Sequence, residues 1–303
     1  KHLESDGYDL LGLITGSEGL LCIITEVTVR ILKKPDTARA MLIGFDSAVV
    51  AGDCVAAIIG AGIIPGGMEM MDKPAIHATE EFVNAGYPLD AEALLIVELD
   101  GPTAEVDFLI ERVHLIAKNL GADYFRISEN EAERAKFWAG RKVAFPAIGR
   151  ITPDYYCMDG TIPRARLPEV LDCINKMSEK YGLRVANVFH AGDGNLHPLI
   201  MYDSNKPGEL EIAEEFGAEI LTLCVEVGGV LTGEHGVGVE KRDLMGTMFT
   251  EEDLNQQQLV KCAFDPDGLL NPGKVFPTLH RCAELGRVHV HHGHTRFPDI
   301  PRF

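Results

Sequence analysis

Apolar runs of strand length alternate with stretches of helical periodicity along most of the chain. The predicted strands cover residues 20–25, 27–31, 41–45, 94–99, 185–189 and 199–202. The predicted helices cover residues 46–59, 106–120, 167–181 and 210–227, with a further helix that begins after Thr250. Several strands interspersed with helices predict an α+β or mixed α/β fold.

Residues that favour helix ends support these boundaries. Asp46 and Thr250 are candidate N-caps, and three acidic residues follow Thr250 in the first turn of its helix. Gly121 and Gly182 follow two of the helical stretches, where glycine readily takes the left-handed conformation that ends a helix. Pro35 is expected to end the second early strand.

Composition narrows the class of protein. Of 303 residues, 46% are hydrophobic and 24% charged, which is typical of folded globular domains and excludes disordered and fibrous chains. A net charge of −18 disfavours a non-specific surface for nucleic acid or anionic membrane. Seven cysteines without a C-x-x-C pair argue against a disulfide framework or a thiolate zinc site. With no signal peptide and no apolar stretch long enough to span a bilayer, we expect a cytoplasmic protein.

The densest group of chemically reactive residues is the segment Phe-His-Ala-Gly-Asp-Gly-Asn-Leu-His-Pro at 189–198. A glycine-rich turn separates His190 from His197, so both imidazoles can reach one centre. Neutral imidazole suits zinc, manganese, iron or cobalt, and the amide of Asn195 can donate to or accept from a bound molecule. The alternative is that the histidines are ordinary hydrogen-bonded turn residues.

A second segment, Thr-Gly-Glu-His-Gly at 232–236, places Glu234 beside His235 between glycines. Glu234 is the candidate third ligand of a metal held by His190 and His197, and His235 is the candidate general base. Three protein ligands leave coordination positions open, as in catalytic metal sites. A glycine-rich loop whose Glu-His pair faces solvent is the alternative. Together, the two segments favour a metal site.

Arg141 is the candidate for binding an anionic substrate. Its guanidinium can form two parallel hydrogen bonds to a carboxylate, and the only tryptophan, Trp138, precedes it by one helical turn. On spacing alone, an amphipathic helix with a solvated arginine is the simpler interpretation. The histidine-rich segment 289–294 resembles a metal-binding tract in composition, but it lacks apolar periodicity and we assign it no role.

Two loops complete the set of motifs, Gly-Ser-Glu-Gly at 16–19 and the turn-rich segment 265–274. The motifs at 16–19, 190–197, 233–236 and 265–274, in this order, resemble those of FAD-linked oxidases of the vanillyl-alcohol-oxidase type. More narrowly, the chain resembles the branch that contains the flavoprotein subunits of bacterial glycolate oxidases and the D-lactate dehydrogenases.

The resemblance implies an α+β cap domain with a ferredoxin-like sheet, attached to an FAD-binding domain. Residues 1–35 would be the terminal strands of the FAD-binding domain, and residues 36–247 the substrate- and metal-binding cap. Residues 248–280 would form a closing helix and a loop that returns to the flavin, and residues 281–303 a flexible tail. The family's main pyrophosphate-binding loops do not occur in this sequence, so we expect an N-terminally truncated chain.

The resemblance also implies FAD as cofactor, and the segments that carry His190, His197 and Glu234 favour a divalent metal (Zn, Mn or Fe). The residues expected to contact FAD are Glu18, Gly19, Ile23, Ile24 and Asn271. Leu20 and Cys22 replace a threonine and a glycine of the family pattern, and a side chain at Cys22 could obstruct the approach to the flavin. Relatives that oxidise dicarboxylates place a threonine and a lysine near Phe145 and Cys157, so their absence here favours a substrate with one carboxylate.

We therefore expect FAD-dependent oxidation of a short 2-hydroxy acid, glycolate or D-lactate, to the 2-oxo acid. The metal would bind the substrate, Arg141 and Asn195 would orient its carboxylate, and His235 would take the hydroxyl proton. Without an iron–sulfur cysteine pattern, electrons would leave through companion flavin-type and iron–sulfur subunits or a quinone, with peripheral attachment to the inner membrane through those subunits.

Three alternatives remain open from the sequence. The first is a D-lactate or D-2-hydroxyglutarate dehydrogenase that uses the same residues. The second is a metal- and carboxylate-binding fragment that has neither flavin nor catalysis. The third is a flavin-free metallohydrolase, against which the flavin-type motifs count.

Overall fold

A computed structural model describes residues 7–277, so the predicted tail at 281–303 lies outside the described residues. By their internal contacts, residues Lys33–Gly233 form one compact unit, here called the larger unit. Residues Lys1–Leu32 and Glu234–Phe303 form the smaller unit. The predicted domain boundaries at 35, 247 and 280 stay predictions.

The described residues contain ten α-helices and nine strands. The helices are α1 (Leu10–Ile14), α2 (Ala48–Gly60), α3 (Lys73–Val83), α4 (Thr103–Asn119), α5 (Glu131–Lys142), α6 (Ala144–Ile148), α7 (Leu167–Tyr181), α8 (Glu209–Glu226), α9 (Met245–Met248) and α10 (Glu251–Phe264). The strands are β1 (Thr37–Phe45), β2 (Gly67–Asp72), β3 (Ala93–Gly101), β4 (Tyr124–Ile127), β5 (Asp154–Cys157), β6 (Gly160–Thr161), β7 (Val185–Phe189), β8 (Asn195–Leu196) and β9 (Pro198–Tyr202). Over this part of the chain, no helix has the length and apolar character needed to cross a lipid bilayer.

Seven strands of the larger unit form an antiparallel sheet in the order β4-β1-β3-β2-β7-β9-β5, and β6 pairs with β8. Helices α3, α5 and α6 cover one face, where they share a core with alternate residues of β1, β3, β7 and β9. Helices α2 and α4 contact β1 and β3. Because apolar residues on both faces are buried, the strands are continuous apolar runs. The antiparallel sheet with helices confirms the α+β class.

Most of the predicted elements of the larger unit are confirmed. Strands β1, β3, β7 and β9 and helices α2, α4, α7 and α8 lie where the apolar patterns predicted them. Gly121 and Gly182 have φ angles of +94° and +68°, as expected for residues that end helices. The cap of α2 was predicted one residue too early, because Ser47 rather than Asp46 accepts the hydrogen bond from the Val50 amide at 3.5 Å.

The smaller unit contains α1, α9 and α10. The predicted cap of α10 is confirmed, since the Thr250 hydroxyl accepts a hydrogen bond from the Asp253 amide at 3.2 Å and the Asp253 carboxylate bonds back to Thr250. The two strands predicted at 20–25 and 27–31 are wrong, because residues 22–35 contain no regular secondary structure. A strand needs a partner strand to be stable, and the described part of the chain supplies none for these two segments.

The described cysteines are in two states. Cys22, Cys54, Cys157, Cys173 and Cys224 are not disulfide-bonded. Cys262, however, is disulfide-bonded, which the spacing of the cysteines did not predict.

Candidate functional site

The register of β2 against β7 sets Glu69 opposite His190. The two strands pair Met70 with Phe189, so the next step along the antiparallel ladder reaches Glu69 and His190. Opposite residues project to the same face of a sheet. The imidazole Nδ1 of His190 accordingly lies 2.8 Å from the Oε1 atom of Glu69.

The same reasoning places Asp159 beside His197. Strands β5 and β9 pair Cys157 with Leu199, and two further steps along this ladder reach Asp159 and His197. The Nε2 atom of His197 lies 3.5 Å from the Oδ1 atom of Asp159. The rings of His190 and His197 meet edge to face, with centroids 5.1 Å apart and an interplanar angle of 82°. The larger unit therefore brings the two predicted metal ligands together.

Arg141 reaches this group from the last turn of α5. Its Nε donates to the Oε2 atom of Glu69 at 2.8 Å, and its side chain is only 9% exposed, so the interpretation of a solvated arginine is wrong. Its Nη2 atom is buried and has no hydrogen-bond partner within residues 7–277. A buried donor without a partner costs free energy. A carboxylate at this point would satisfy it.

Tyr87 fixes the end of α5 from which Arg141 projects. The phenolic hydroxyl donates to the backbone carbonyl of Phe137 and accepts from the backbone amide of Arg141 at 3.1 Å. Gly140 makes this approach possible, because a Cβ atom there would overlap the Tyr87 hydroxyl. Burial raises the pKa of the Tyr87 phenol, which therefore keeps its proton and remains a donor.

Asn195 is buried on β8, next to the glycine of the second motif. A Cβ atom on Gly233 would overlap the Asn195 side-chain amide, so this close approach requires glycine. Asp159 accepts hydrogen bonds from the Thr232 hydroxyl at 2.7 Å and from the Gly233 amide at 3.0 Å. The Oδ1 atom of Asn195 is buried without a hydrogen-bond partner among the described residues, which leaves an acceptor for a bound molecule.

Glu234 and His235 begin the second part of the smaller unit. Their side chains are about half exposed, and the Nε2 atom of His235 lies 4.0 Å from the Oε1 atom of Glu234. Glu234 follows Gly233 directly in the chain, and Gly233 is held by Asp159. The roles of Glu234 as third metal ligand and of His235 as base stay predictions.

Two aromatic residues near Arg141 have different surroundings. The indole of Trp138 donates to the Glu98 carboxylate, to which Arg134 also donates, so the polar atom of Trp138 is bonded to Glu98 and not to the group around Arg141. Phe145, in contrast, lies edge-on to the ring of His197, with centroids 6.0 Å apart. An apolar ring therefore borders the histidine pair.

The five residues predicted to contact FAD line one pocket of the smaller unit. This pocket has a volume of about 480 Å³. Its lining includes Glu18, Gly19, Ile23, Ile24 and Asn271, together with Cys22. Glu18 accepts hydrogen bonds from the amides of Val237 and Gly238 at 2.8 and 2.9 Å, and the Asn271 side chain donates to the Glu18 carbonyl at 2.6 Å. Both Glu18 and Asn271 have positive φ, a strained backbone that is frequent at functional sites.

Lys261 and Asp265 hold the loop that carries Asn271. The ammonium of Lys261 donates to the carbonyls of Leu20 and Leu270 at 2.7 Å each and to the Asp265 carboxylate. Asp265 also accepts from two backbone amides of the loop. Burial alone would raise the pKa of Asp265, but the hydrogen bonds from Lys261 and the two amides outweigh it and the pKa is lowered.

Sequence reasoning missed Glu69, Asp159 and Tyr87. The available signal was a single carboxylate inside an apolar run, as in Met-Glu-Met-Met at 68–71 and Cys-Met-Asp-Gly at 157–160. A charge buried in a strand requires a partner, and such partners are often functional. Tyr87 gave no comparable signal because it lies in a loop.

Proteins with similar sequences are glycolate oxidase subunits and D-lactate dehydrogenases. The glycolate oxidase subunit GlcD of Escherichia coli K12 is 60% identical over 301 residues, which are 99% of this chain and 60% of that protein. The GlcD subunit of Bacillus subtilis is 36% identical and covers 89% of this chain and 57% of that protein. The mitochondrial D-lactate dehydrogenase (cytochrome) of Arabidopsis thaliana is 32% identical and covers 91% and 48%. The chain thus spans 48–60% of the length of these relatives.

Solved structures share the fold at low sequence identity. The 4-ethylphenol oxidase of Gulosibacter chungangensis has a TM-score of 0.61 at 16% identity, over 81% of this chain and 55% of that chain. The substrate complex of p-cresol methylhydroxylase has a TM-score of 0.60 at 15% identity, over 80% and 53%. The family of FAD linked oxidases, C-terminal domain, matches residues 34–275. The chain therefore belongs to the FAD-linked oxidases and carries their C-terminal domain, as its motifs predicted.

Proposed function

We propose that this chain is the substrate-binding part of an FAD-dependent enzyme that oxidises a short 2-hydroxy acid, with glycolate as the first candidate. The observation that carries the proposal is the buried Nη2 atom of Arg141, which has no partner within residues 7–277. It belongs to the same hydrogen-bonded group as His190, through Glu69. The similarity to glycolate oxidase subunits and D-lactate dehydrogenases supports the same activity.

The polar atoms around Arg141 suit the two ends of a 2-hydroxy acid. A carboxylate would pair with the buried guanidinium. Asn195 would orient the same carboxylate through its NH₂ group, which can donate. Its buried Oδ1 atom has no partner among the described residues and offers an acceptor to a bound molecule.

The donor set also fits a divalent metal. The Glu69 carboxylate is hydrogen-bonded to the Nδ1 atom of His190, and a metal-binding histidine usually has such a carboxylate on its second ring nitrogen. His190 and His197 would be two ligands, and the sequence supplies Glu234 as the third and His235 as the base. A bound divalent ion would act as a Lewis acid that lowers the pKa of the substrate hydroxyl.

The chain's own residues would then prepare the substrate for oxidation. Arg141 would fix the carboxylate, and His235 would receive the hydroxyl proton. The pocket bordered by Glu18 and Asn271 would hold part of the FAD, which supplies the hydride acceptor. Electrons would leave for companion flavin-type and iron–sulfur subunits or a quinone, and the relatives named as subunits support an assembly. We place this assembly in the cytoplasm, attached to the inner membrane through those subunits.

A substrate with one carboxylate is favoured by the apolar border of the site. Phe145 packs against the ring of His197, and it offers no hydrogen bond or charge to a second carboxylate. Burying an unpaired second carboxylate beside this ring would cost several kcal/mol, on the order of the penalty for an unpaired buried ion. Glycolate and D-lactate therefore rank above D-2-hydroxyglutarate.

The test is steady-state turnover of the full-length flavoprotein on glycolate, D-lactate and D-2-hydroxyglutarate. We expect the highest kcat/KM for glycolate or D-lactate, and a loss of roughly 100-fold or more in Arg141→Gln. The matched control is Arg134→Gln, because Arg134 lies on the same helix but pairs with Glu98 and Glu131. Equal kcat/KM for all three substrates, or a fully active Arg141→Gln, would contradict the proposal.

A further inference from the structure

The carboxylate of Glu69 connects the two halves of the proposed site. One oxygen bonds the Nε atom of Arg141 and the other bonds the Nδ1 atom of His190, each at 2.8 Å. We propose that Glu69 is a positioning residue that couples the anion-binding arginine to the metal-binding histidine. This inference rests on the proposed function, and it adds a residue that the sequence motifs did not include.

The bond to His190 determines which nitrogen of the ring can bind a metal. An ionised carboxylate has only acceptors, so the Nδ1 atom of His190 must carry the proton that it shares with Glu69. The Nε2 atom then keeps its lone pair and is the ligand atom. The same bond fixes the rotation of the ring and increases its basicity.

The bond to Arg141 determines where the rest of the guanidinium points. A free arginine side chain has many rotamers, and ordering it on binding costs affinity. Glu69 holds the Nε edge of the planar group, so the Nη2 atom keeps one position, where it is buried without a partner in the described part of the chain. The anion would therefore meet a donor that is already oriented.

Burial strengthens the bonds of Glu69 to His190 and to Arg141. The side chains of Glu69 and Arg141 are 10% and 9% exposed, so their charges interact in a medium of lower dielectric than water. One carboxylate thus prepares the site for a cation and for an anion at once.

A second carboxylate of the same sheet provides a matched control. Glu98 on β3 also receives two donors, from Arg134 and Trp138, and is 17% exposed. It bonds neither Arg141 nor His190. A substitution of Glu98 removes a partly buried carboxylate that also receives two donors, without affecting the proposed site.

The experiment compares Glu69→Gln with Glu98→Gln in the full-length flavoprotein. The two probes are Co²⁺, followed by its visible absorption spectrum, and oxalate, a carboxylate that cannot be oxidised by hydride transfer. The amide of glutamine must turn its NH₂ group toward either Arg141 or His190. We therefore expect Glu69→Gln to weaken Co²⁺ binding by roughly 10- to 100-fold and to weaken oxalate binding measured without metal, while Glu98→Gln changes neither more than about twofold.

If Glu69 couples the two halves of the site, the single substitution Glu69→Gln weakens the binding of both Co²⁺ and oxalate. Arg141→Gln should weaken oxalate binding alone, and His190→Ala should weaken Co²⁺ binding alone. If Glu69→Gln does not fold, as judged by circular dichroism and the thermal midpoint, Glu69→Asp retains the charge but is too short for both bonds. The aspartate variant should then lose at least one of the two affinities.

The possible failures are distinguishable. If Glu69→Gln or Glu69→Asp binds both probes as the wild type does while His190→Ala and Arg141→Gln do not, the inference about Glu69 is wrong and the proposed function stands. If the wild type binds neither Co²⁺ nor oxalate, the proposed function is wrong, and the inference fails with it.

Discussion

Asp72 accepts two hydrogen bonds from a single residue, Asn187, whose backbone amide and side-chain amide both lie 2.8 Å from the Oδ2 atom of Asp72. The other carboxylate oxygen accepts from the Ala75 amide at the start of α3. Asp72 ends β2 and Asn187 lies in β7, so this pair joins two central strands to a helix. Burial raises the pKa of Asp72 to about 7, because it outweighs these hydrogen bonds.

This raised pKa predicts a pH-dependent stability. A carboxyl whose pKa is higher in the folded state contributes stability below the unfolded pKa, near 4, and loses it as pH rises through about 7. Asp72→Asn removes the titration, so its free energy of unfolding relative to wild type should improve between pH 4 and 8, by a few kcal/mol at ~1.4 kcal/mol per pKa unit. Urea unfolding at several pH values measures this difference.

The control is Asp53→Asn, because Asp53 is an exposed residue of α2. Its unfolding free energy should follow that of the wild type at every pH. Parallel profiles for Asp72→Asn and wild type would show that Asp72 does not titrate as described.

Tyr87→Phe should weaken substrate binding without touching the substrate. The variant leaves the Phe137 carbonyl and the Arg141 amide without the Tyr87 hydroxyl, at a cost of about 1–3 kcal/mol in stability. A looser end of α5 should raise KM for glycolate several-fold. Tyr181→Phe is the matched control, since that hydroxyl bonds Glu219 at a partly exposed position; equal KM values in the two variants would argue against the role of Tyr87.

Gly233→Ala should reduce activity through Asn195. The added methyl group would overlap the Asn195 amide, so either the amide or the backbone that Asp159 holds must move. We expect at least a tenfold loss in kcat/KM, since displacements of about 1 Å cost on the order of 100-fold. Gly60→Ala has no atom within 4 Å of its new methyl group and should keep full activity; if both variants are equally active, the contact is not restrictive.

Asp265→Asn should loosen the loop that carries Asn271 and so weaken FAD binding. The lowered pKa of Asp265 means that its stabilising contribution is present above the unfolded value of 3.8 and is lost as pH falls through the lower folded value. Wild-type protein should therefore release FAD more readily in acid, and the variant already at neutral pH. Flavin fluorescence measures the release, and Glu252→Gln, at an exposed position, is the control. If Asp265→Asn retains FAD as well as the wild type does, the role of Asp265 is contradicted.

The larger unit was more predictable than the smaller one, and residues 20–31 show why. In strands such as β7 every residue is buried, so a continuous apolar run in the sequence is enough to predict the strand. Residues 27–31 have an equally clear alternation, but the side chains of Val27, Val29 and Ile31 are at least 70% exposed. A strand is stable only when it pairs with another strand, and the local sequence pattern does not show whether such a partner is present.

Within the candidate site, motifs predicted the histidines and the arginine but not the residues that orient them. His190, Asn195 and His197 stand in one short segment rich in glycine, which draws attention to their chemistry. Glu69 is 121 residues from His190 along the chain, and their contact follows from strand pairing. Register is a long-range property, so no local reading of the sequence could have joined them.

The register of β2 and β7 also makes the site a reporter of correct folding. A slip of one residue between these strands would turn His190 to the opposite face of the sheet and separate it from Glu69. Misassembled molecules would then lack the site entirely rather than bind weakly. If the proposed metal site binds Co²⁺, titrating the fraction of molecules that bind it would count the correctly paired chains in a preparation, independently of the bulk secondary structure.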